Sequence, residues 1–269
     1  MYEEPYRWVE AVGNRRQYLD AQFVKGSPVV GVVCDQGILL MTMSKGTSKL
    51  YEIYDRLAFG GMGHPADLEK LRFSLLEMAH VEGFNRSASD VTGSRLVKYG
   101  VAPVVKQAFE EVFKAPFIVK IMLAELSQKA GKDGFLTINY DGVFEEKSRH
   151  AVLAATSSVE QRMMEYLRQQ SAVSLKEAVD VAIRTWAVGD RAQRQTAETE
   201  GDHEDAKGSV GQPVTDSQPL LTHVRQCMAE KSVECALLDR HVSGTSKYRT
   251  LGPDELGALL PKDLSSALT

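Results

Sequence analysis

One serine in this chain, Ser27, stands where cleavage of the chain could leave it as an N-terminal nucleophile. Ser27 follows Gly26 at the point where an amphipathic helix ends and an apolar segment begins. A serine hydroxyl becomes a strong nucleophile when a base takes its proton, and a chain cut between these two residues would supply the serine's own α-amine as that base. The chemistry also needs a lysine that lowers nearby pKa values and an acid that holds that lysine. The residues that the fold brings to Ser27 therefore decide whether it can react.

The segment that follows Ser27 predicts a pair of strands. Two apolar runs, 29–33 and 38–43, are separated by the turn sequence DQG. Both runs are apolar at almost every position, whereas a strand with one face in water alternates between apolar and polar residues. The pair is therefore expected to be covered on both faces. Residues 14–25, which precede it, carry apolar side chains at helical spacing and predict a helix that stops at Gly26.

The remaining elements alternate between blocks of strands and pairs of helices. β-rich runs predict strands within 49–63 (a pair), 117–126, 135–142, 151–157 and 233–240, and helical periodicity predicts helices that start near 65, 89, 158, 174 and 254. Pro103 interrupts the second of these helices and predicts a kink. Helix pairs between mainly antiparallel strands indicate an α+β fold, a four-layer αββα sandwich with two antiparallel sheets between helix layers.

This organisation predicts one main domain with short additions at both ends. Residues 26–261 form the αββα domain, residues 1–25 form an N-terminal arm and contact helix, and residues 262–269 form a C-terminal tail. Within the domain, residues 192–218 are polar, acidic in their middle and punctuated by Gly and Pro, which predicts a mobile acidic insertion. A free-standing adaptor that uses this insertion to bind a basic partner is one alternative interpretation of the chain.

Composition excludes several classes of function. The chain has 269 residues, of which 43% are hydrophobic and 25% charged, so it can bury one sizeable core. Its net charge is −4, no basic tract suggests a nucleic-acid partner, and no apolar run reaches the roughly 18–20 residues of a membrane span. The three cysteines are scattered and the six histidines lack a ligand spacing such as HxxxH, so no metal and no cofactor are expected. These features predict a cytoplasmic protein.

Several segments, taken in order, resemble one family. They are KGSPVVGV after the first helix, SKLYEIYDRLAFGGMG at 48–63, DVTGSRL at 90–96, VKIMLAEL and TINYDG within 119–142, SLKEAVDVAI at 174–183, and ECALLDR and LGPDELGALL near the C-terminus. The chain resembles the α-type subunits of the 20S proteasome, in particular those of the bacterial branch. The resemblance implies a noncatalytic version of the N-terminal nucleophile hydrolase fold. It also implies three partners: other copies of the chain in a seven-membered α ring, rings of catalytic β subunits, and a ring-shaped ATPase activator.

The same resemblance bears on whether Ser27 is a nucleophile. The family's catalytic β subunits carry the acid sixteen residues after the nucleophile, and Met43 stands at that distance from Ser27. A thioether can neither fix a lysine charge nor take its proton, and Pro28 removes a backbone donor beside the cleavage point. We therefore expect no catalytic residue and no peptidase activity in this chain. The alternative is a self-processing, β-like peptidase or amidase with Ser27 as its nucleophile.

The resemblance gives Lys49 a role in docking. Lys49 precedes LYEIYDR and matches the family lysine in the pocket between adjacent α subunits, where the C-terminal carboxylate of the activating ATPase binds. An ammonium group in a partly desolvated groove holds a carboxylate through a charge-assisted hydrogen bond. Two alternatives stay open: the nearby Lys45 is a competing docking residue, and Lys49 could be a solvated lysine at a strand edge.

The N-terminal arm resembles the family's gate, in which seven tails block the axial pore. Residues 1–13 are expected to be extended, because Pro5 prevents an early helix. The gate residues implied by the resemblance are Tyr2, Pro5, Tyr6 and Trp8. The alternative is a frayed terminus. Contacts around the ring are expected from the helix at 14–25 and from the paired helices.

Overall fold

The predicted strand pair lies at the centre of a five-stranded antiparallel sheet. The computed structural model describes residues 5–111, 113–129, 131–201 and 217–265. In the first sheet, β1 (Val29–Cys34) pairs with β2 (Gly37–Ser44). The strand order is β10-β9-β2-β1-β8, where β8 is His150–Leu153, β9 is Ser232–Asp239 and β10 is Tyr248–Thr250. The sequence did not predict β10, which is only three residues long.

The second sheet contains the other five strands in sequence order. They are β3 (Leu50–Tyr54), β4 (Leu57–Gly63), β5 (Val119–Glu125), β6 (Gly134–Ile138) and β7 (Phe144–Ser148). β3 and β4 confirm the pair predicted within 49–63. The sequence analysis missed β7, whose residues FEEKS are mostly polar, because an edge strand needs little apolar surface to pair.

Helices cover the outer face of each sheet. Those packed against the second sheet are α2 (Pro65–Asn85), α3 (Gly93–Leu96) and α4 (Ala102–Glu110). Those packed against the first sheet are α5 (Ser157–Arg168), α6 (Leu175–Gly201), α7 (Ser217–Met228), α8 (Pro253–Leu259) and α9 (Lys262–Ser265). The arrangement is the four-layer αββα sandwich that the sequence predicts. No helix within the described ranges is long and apolar enough to cross a bilayer.

The helix predicted to start near residue 89 is broken into shorter pieces. A short 3₁₀ turn, Ala88–Asp90, precedes α3, and a π-helical turn, Val97–Val101, joins α3 to α4. Pro103 lies in the first turn of α4, where its missing N–H costs least. The helical segment is therefore irregular directly before the proline at which the sequence predicts a kink.

Strand β2 shows why each sheet packs against the other sheet on one face and against helices on the other. All eight of its residues are buried. Ile38 and Leu40 lie in the core between the sheets, whereas Leu39 and Met41 pack with the helices that cover the first sheet. Because successive side chains of a strand face opposite sides, an unbroken apolar run is satisfied only when both sides are dry. The expectation of cover on both faces is confirmed.

The first helix is longer than the sequence suggested. It is α1, Pro5–Phe23, so the prediction that residues 1–13 form an extended arm is wrong from Pro5 onward. Proline fits the first position of a helix, where its missing N–H has no partner within the helix to lose. Residues 1–4 lie outside the described part of the chain.

The C-terminal half of α1 is anchored in the molecule. Leu19 and Phe23 are fully buried in the core between the sheets. Tyr140 stacks on Phe23, with 5.9 Å between the ring centroids. Arg15 donates hydrogen bonds from Nη1 to the carbonyl oxygens of Ala108 (3.2 Å) and other residues at the end of α4. The helix therefore closes one end of the inter-sheet core.

The acidic insertion is shorter than predicted. α6 continues to Gly201 and α7 begins at Ser217, so the prediction of an insertion over 192–218 is wrong for residues 192–201 and 217–218. Ala192 and Gln193 are buried on α6, and this packing continues the helix beyond the point where the sequence turns polar. Residues 202–216 lie outside the described part of the chain.

Replacing Phe23 tests the anchoring of α1. Phe23→Ala should lower the free energy of unfolding by about 3–5 kcal/mol, because it opens a cavity in the core between the sheets. Urea titration of the isolated chain measures this value. Tyr18→Ala is the matched control, because Tyr18 lies on the same helix and is 51% exposed; it should change the free energy by less than about 1 kcal/mol. Equal losses for the two variants would contradict the described packing.

Candidate functional site

A cavity of about 390 Å³ opens where α1 meets β1. Its walls come from the end of α1, the ends of β2 and β4, the segment before β3 and the residue before β9. We call it the junction cavity. Its lining residues include Ser27, Met43 and Lys49, with Lys25, Lys45, His64 and Lys231 around them. The three residues that the sequence analysis connected therefore lie around one space.

The junction cavity is rich in positive charge. Lys25, Lys45, Lys49 and Lys231 all line it, and none of the described lining residues is acidic. Lys231 is held by Asp190, with 3.1 Å between Nζ and Oδ1. Lysines that converge on a partly enclosed space create a positive potential that favours an anion. Of the four lysines, Lys45 and Lys231 are already paired with Glu230 and Asp190, so the positive charge of the cavity rests mainly on Lys25 and Lys49.

Lys49 is positioned by a carboxylate on the neighbouring sheet. Glu234 of β9 accepts the backbone N–H of Lys49 (3.0 Å to Oε1) and that of Leu50 (3.0 Å), and the hydroxyl of Ser48 also donates to it. Burial lowers the pKa of the Lys49 ammonium below its ordinary range, and Lys231 lowers it further, while Glu234 acts in the opposite direction. Lys49 thus presents a poorly solvated ammonium group to the cavity.

Lys45 is a weaker candidate for docking than Lys49. It is exposed, and its Nζ lies 3.0 Å from Oε2 of Glu230 in a surface ion pair. A solvated and paired ammonium group gains little from a further carboxylate. The geometry therefore favours Lys49 over this competitor, and half-burial of Lys49 disagrees with a fully solvated strand-edge lysine.

Ser27 is held as a structural residue. Its side chain is buried, with 4% exposure, and Trp186 of α6 donates its indole N–H to Oγ over 3.0 Å. Thr42 donates its hydroxyl to the carbonyl oxygen of Pro28 over 2.7 Å, which fixes the start of β1. The hydroxyl of Ser27 thus accepts a hydrogen bond from a group that cannot act as a base.

The acid that catalysis needs is missing from its expected place. Met43 is fully buried and lines the cavity beside Ser27, as the sixteen-residue count predicts. One contact does fit self-cleavage: Gln193 donates its side-chain N–H to the carbonyl oxygen of Gly26 over 2.7 Å. A single amide donor can stabilise an oxyanion but cannot remove a proton from Ser27. The site lacks a complete set of catalytic groups among the described residues.

The predicted gate residues fall partly outside the described structure. Tyr2 lies outside it, and Pro5 and Tyr6 belong to α1, but the positions of their side chains are not described. Trp8 is on α1 and is 47% exposed, beside a groove formed with Arg15 and Phe109. Trp8, the one of the four whose side chain is described, does not line the junction cavity.

The sequence analysis missed the residues that support the site. Glu234, Trp186 and Gln193 contact Lys49, Ser27 and Gly26 across 159 to 185 positions of the chain. No local pattern reports a contact over such separations. The sequence offered one signal for such a contact: Glu234 is a charged residue within the otherwise apolar strand VECALL.

Comparison with known proteins decides the family. The family model described as "Proteasome subunit" matches residues 23–198, which is more than half of the chain. The chain belongs to the proteasome subunit family. A relative named "Proteasome subunit alpha" from Arthrobacter sp. (strain FB24) is 26% identical over 259 residues, covering 93% of this chain and 94% of the relative. One of the same name from Salinispora tropica is 29% identical, covering 95% of this chain and 86% of the relative.

Another relative of that name matches a shorter region. "Proteasome subunit alpha" from Streptosporangium roseum is 30% identical over 173 residues, which is 63% of this chain and 65% of the relative, slightly under two thirds of the relative's length. These matches confirm the resemblance to α-type subunits of the bacterial proteasome.

In this proteasome-family chain, removing the hydroxyl of Ser27 should affect stability. Ser27→Ala leaves the buried indole N–H of Trp186 without its partner, which should lower the free energy of unfolding by about 1–3 kcal/mol. The double variant Ser27→Ala/Trp186→Phe, measured with both single variants, isolates the hydrogen bond. A coupling energy of zero in this cycle would show that the two side chains do not interact.

The lowered pKa of Lys49 predicts a pH dependence. Between the folded pKa and the ordinary value of 10.5, the folded chain has lost a proton that the unfolded chain keeps, so stability rises with pH. Lys49→Met removes this rise: the variant should be more stable than the native chain near neutral pH, and the difference should shrink as the pH approaches 10.5. Urea titrations across this range measure it. Lys45→Met is the control, and the account is wrong if both variants give a constant difference.

Proposed function

We propose that this chain is a noncatalytic α-type subunit of a 20S proteasome core particle. It would form the outer ring, gate the entry of substrates through Tyr2, Pro5, Tyr6 and Trp8, and dock a ring-shaped ATPase for degradation of proteins inside the cell. The observation that carries the proposal is the junction cavity, in which a desolvated lysine lies beside a buried serine whose hydroxyl accepts a hydrogen bond from Trp186. Family membership and the α-type relatives support it.

The chemistry of the cavity supports a noncatalytic role. A working N-terminal nucleophile needs an exposed hydroxyl, a base and an acid that fixes the lysine. Ser27 is buried and bonded to Trp186, and Met43 stands in the place of the acid. Peptide hydrolysis would therefore belong to the β subunits. The self-processing alternative keeps only the Gln193 contact in its favour.

The charge of the cavity supports docking of a carboxylate. The C-terminal carboxylate of an ATPase tail would enter a space lined by four lysines and accept a hydrogen bond from Lys49. Because burial already disfavours the isolated ammonium, a carboxylate partner would recover the interaction that water no longer supplies. Lys25 and Lys231 would add to the attraction without direct contact.

Exposed apolar side chains support assembly into rings. The outer face of α1 exposes Val9 and Tyr18, and α2 exposes Phe73 and Phe84, the latter at 90%. Large apolar groups in this number are typical of surfaces that a partner covers. We assign α1 to contacts within the α ring, and the helices over the second sheet to further contacts in the particle.

Replacing Lys49 tests docking directly. Lys49→Ala, co-expressed with the β partner, should form the same rings in negative-stain images and keep basal peptide hydrolysis. Its affinity for the ATPase ring should fall by about 10- to 100-fold, because a charge-assisted hydrogen bond of about 1.5–3 kcal/mol is lost. Lys45→Ala is the matched control and should keep the native affinity. Unchanged ATPase-stimulated degradation by the Lys49 variant would refute the docking role.

A further inference from the structure

Three side chains of different chemistry converge between α6 and α7. Asp190 lies on α6, and His223 and Cys227 lie one turn apart on α7. Nε2 of His223 is 2.9 Å from Oδ2 of Asp190 and 3.6 Å from Sγ of Cys227, and Sγ is 3.7 Å from the same Oδ2. One nitrogen, one sulfur and one oxygen therefore surround a single point.

The spacing of these atoms matches that of metal ligands. Zinc binds His nitrogen and carboxylate oxygen near 2.0–2.2 Å and Cys sulfur near 2.3 Å, so tetrahedral geometry places the ligand atoms about 3.3–3.6 Å apart. The three distances above lie within about 0.4 Å of that range. We propose that Asp190, His223 and Cys227 form a zinc site that joins α6 to α7.

A nucleophilic triad fits the same residues less well. In such a triad the histidine uses one ring nitrogen for the nucleophile and the other for the acid. Here the single atom Nε2 of His223 faces both Cys227 and Asp190. Three ligand atoms that face one another, as Nε2, Sγ and Oδ2 do here, fit coordination of a metal ion better than transfer of a proton along a triad.

Two cationic side chains, Arg194 and Lys231, contact the cluster, and Arg194 would have to move when the metal binds. Nε of Arg194 lies 2.7 Å from Oδ2 of Asp190, and its Nη2 donates to Sγ of Cys227 over 3.3 Å. The Arg194 side chain is 55% exposed, so it can swing into solvent and leave a fourth position to water. Lys231 binds the other oxygen, Oδ1, and would keep orienting the carboxylate as an outer-shell partner. On binding, the thiol of Cys227 releases its proton to solvent and the thiolate bonds to zinc.

Such a site would fasten two helices that are distant in sequence. Asp190 and Cys227 are 37 positions apart, and a metal bound only in the folded state adds its binding free energy to stability. Trp186 stacks near the His223 ring at 6.3 Å and helps to fix its plane. The proposal departs from the prediction of no metal, which considered histidine pairs and overlooked the spacing HxxxC in HVRQC.

Cobalt and zinc titrations test the proposal. The purified full-length chain, stripped with EDTA, should bind one equivalent of Co²⁺ with a thiolate charge-transfer band and the strong visible bands of tetrahedral coordination. Zn²⁺ should displace the cobalt and raise Tm. Cys227→Ser should lose the charge-transfer band and the Tm shift, whereas Cys34→Ser, which removes a buried thiol elsewhere, should keep both. Arg194→Gln should bind Zn²⁺ more tightly than the native chain, because a competing cation is gone.

Further variants keep the test decisive. If Cys227→Ser has an altered far-ultraviolet circular dichroism spectrum, His223→Gln takes its place, and it should lose the tetrahedral cobalt bands while keeping the thiol. The proposal is overturned if the native chain shows no thiolate–cobalt band. It is also overturned if the variants of the two α7 ligands bind Co²⁺ and shift in Tm as the native chain does.

Discussion

The carboxylate of Glu234 accepts the backbone N–H groups of Lys49 and Leu50, and this contact connects the two sheets beside the junction cavity. Glu234 belongs to β9 of the first sheet, and Leu50 begins β3 of the second. The contact therefore fixes the segment that carries Lys49, whose ammonium pKa is lowered by burial and by Lys231. Without these hydrogen bonds to Glu234, the backbone that carries Lys49 would not be held beside the cavity.

In the proposed noncatalytic role, the same cavity keeps the position of the serine without the acid that catalysis needs. The indole N–H of Trp186 donates a hydrogen bond to the hydroxyl of Ser27, and the thioether of Met43 lies where a charged acid would be needed. Both replacements favour stability, because a bonded hydroxyl and a buried apolar side chain need no solvent. What remains is positive charge, which suits recognition of an anion better than bond cleavage.

The sequence predicted the layers of the fold because they follow from local patterns. Runs such as 38–43 are apolar at successive positions, which requires cover on both faces, and the count from Ser27 to Met43 placed both beside Lys49. Elements that depend on distant packing were missed. Strand β10 pairs only with β9, and the end of α6 is helical because Ala192 is buried rather than because its sequence is apolar.

The mass of the chain in assembled particles tests the central claim most directly. Particles made by co-expression with the β partner can be dissociated and each polypeptide measured by intact-mass spectrometry. The account predicts that residues before Ser27 remain attached, because Ser27 is buried against Trp186 and α1 is packed into the core through Phe23. A chain that begins at Ser27 would contradict it, and would identify a self-processing enzyme.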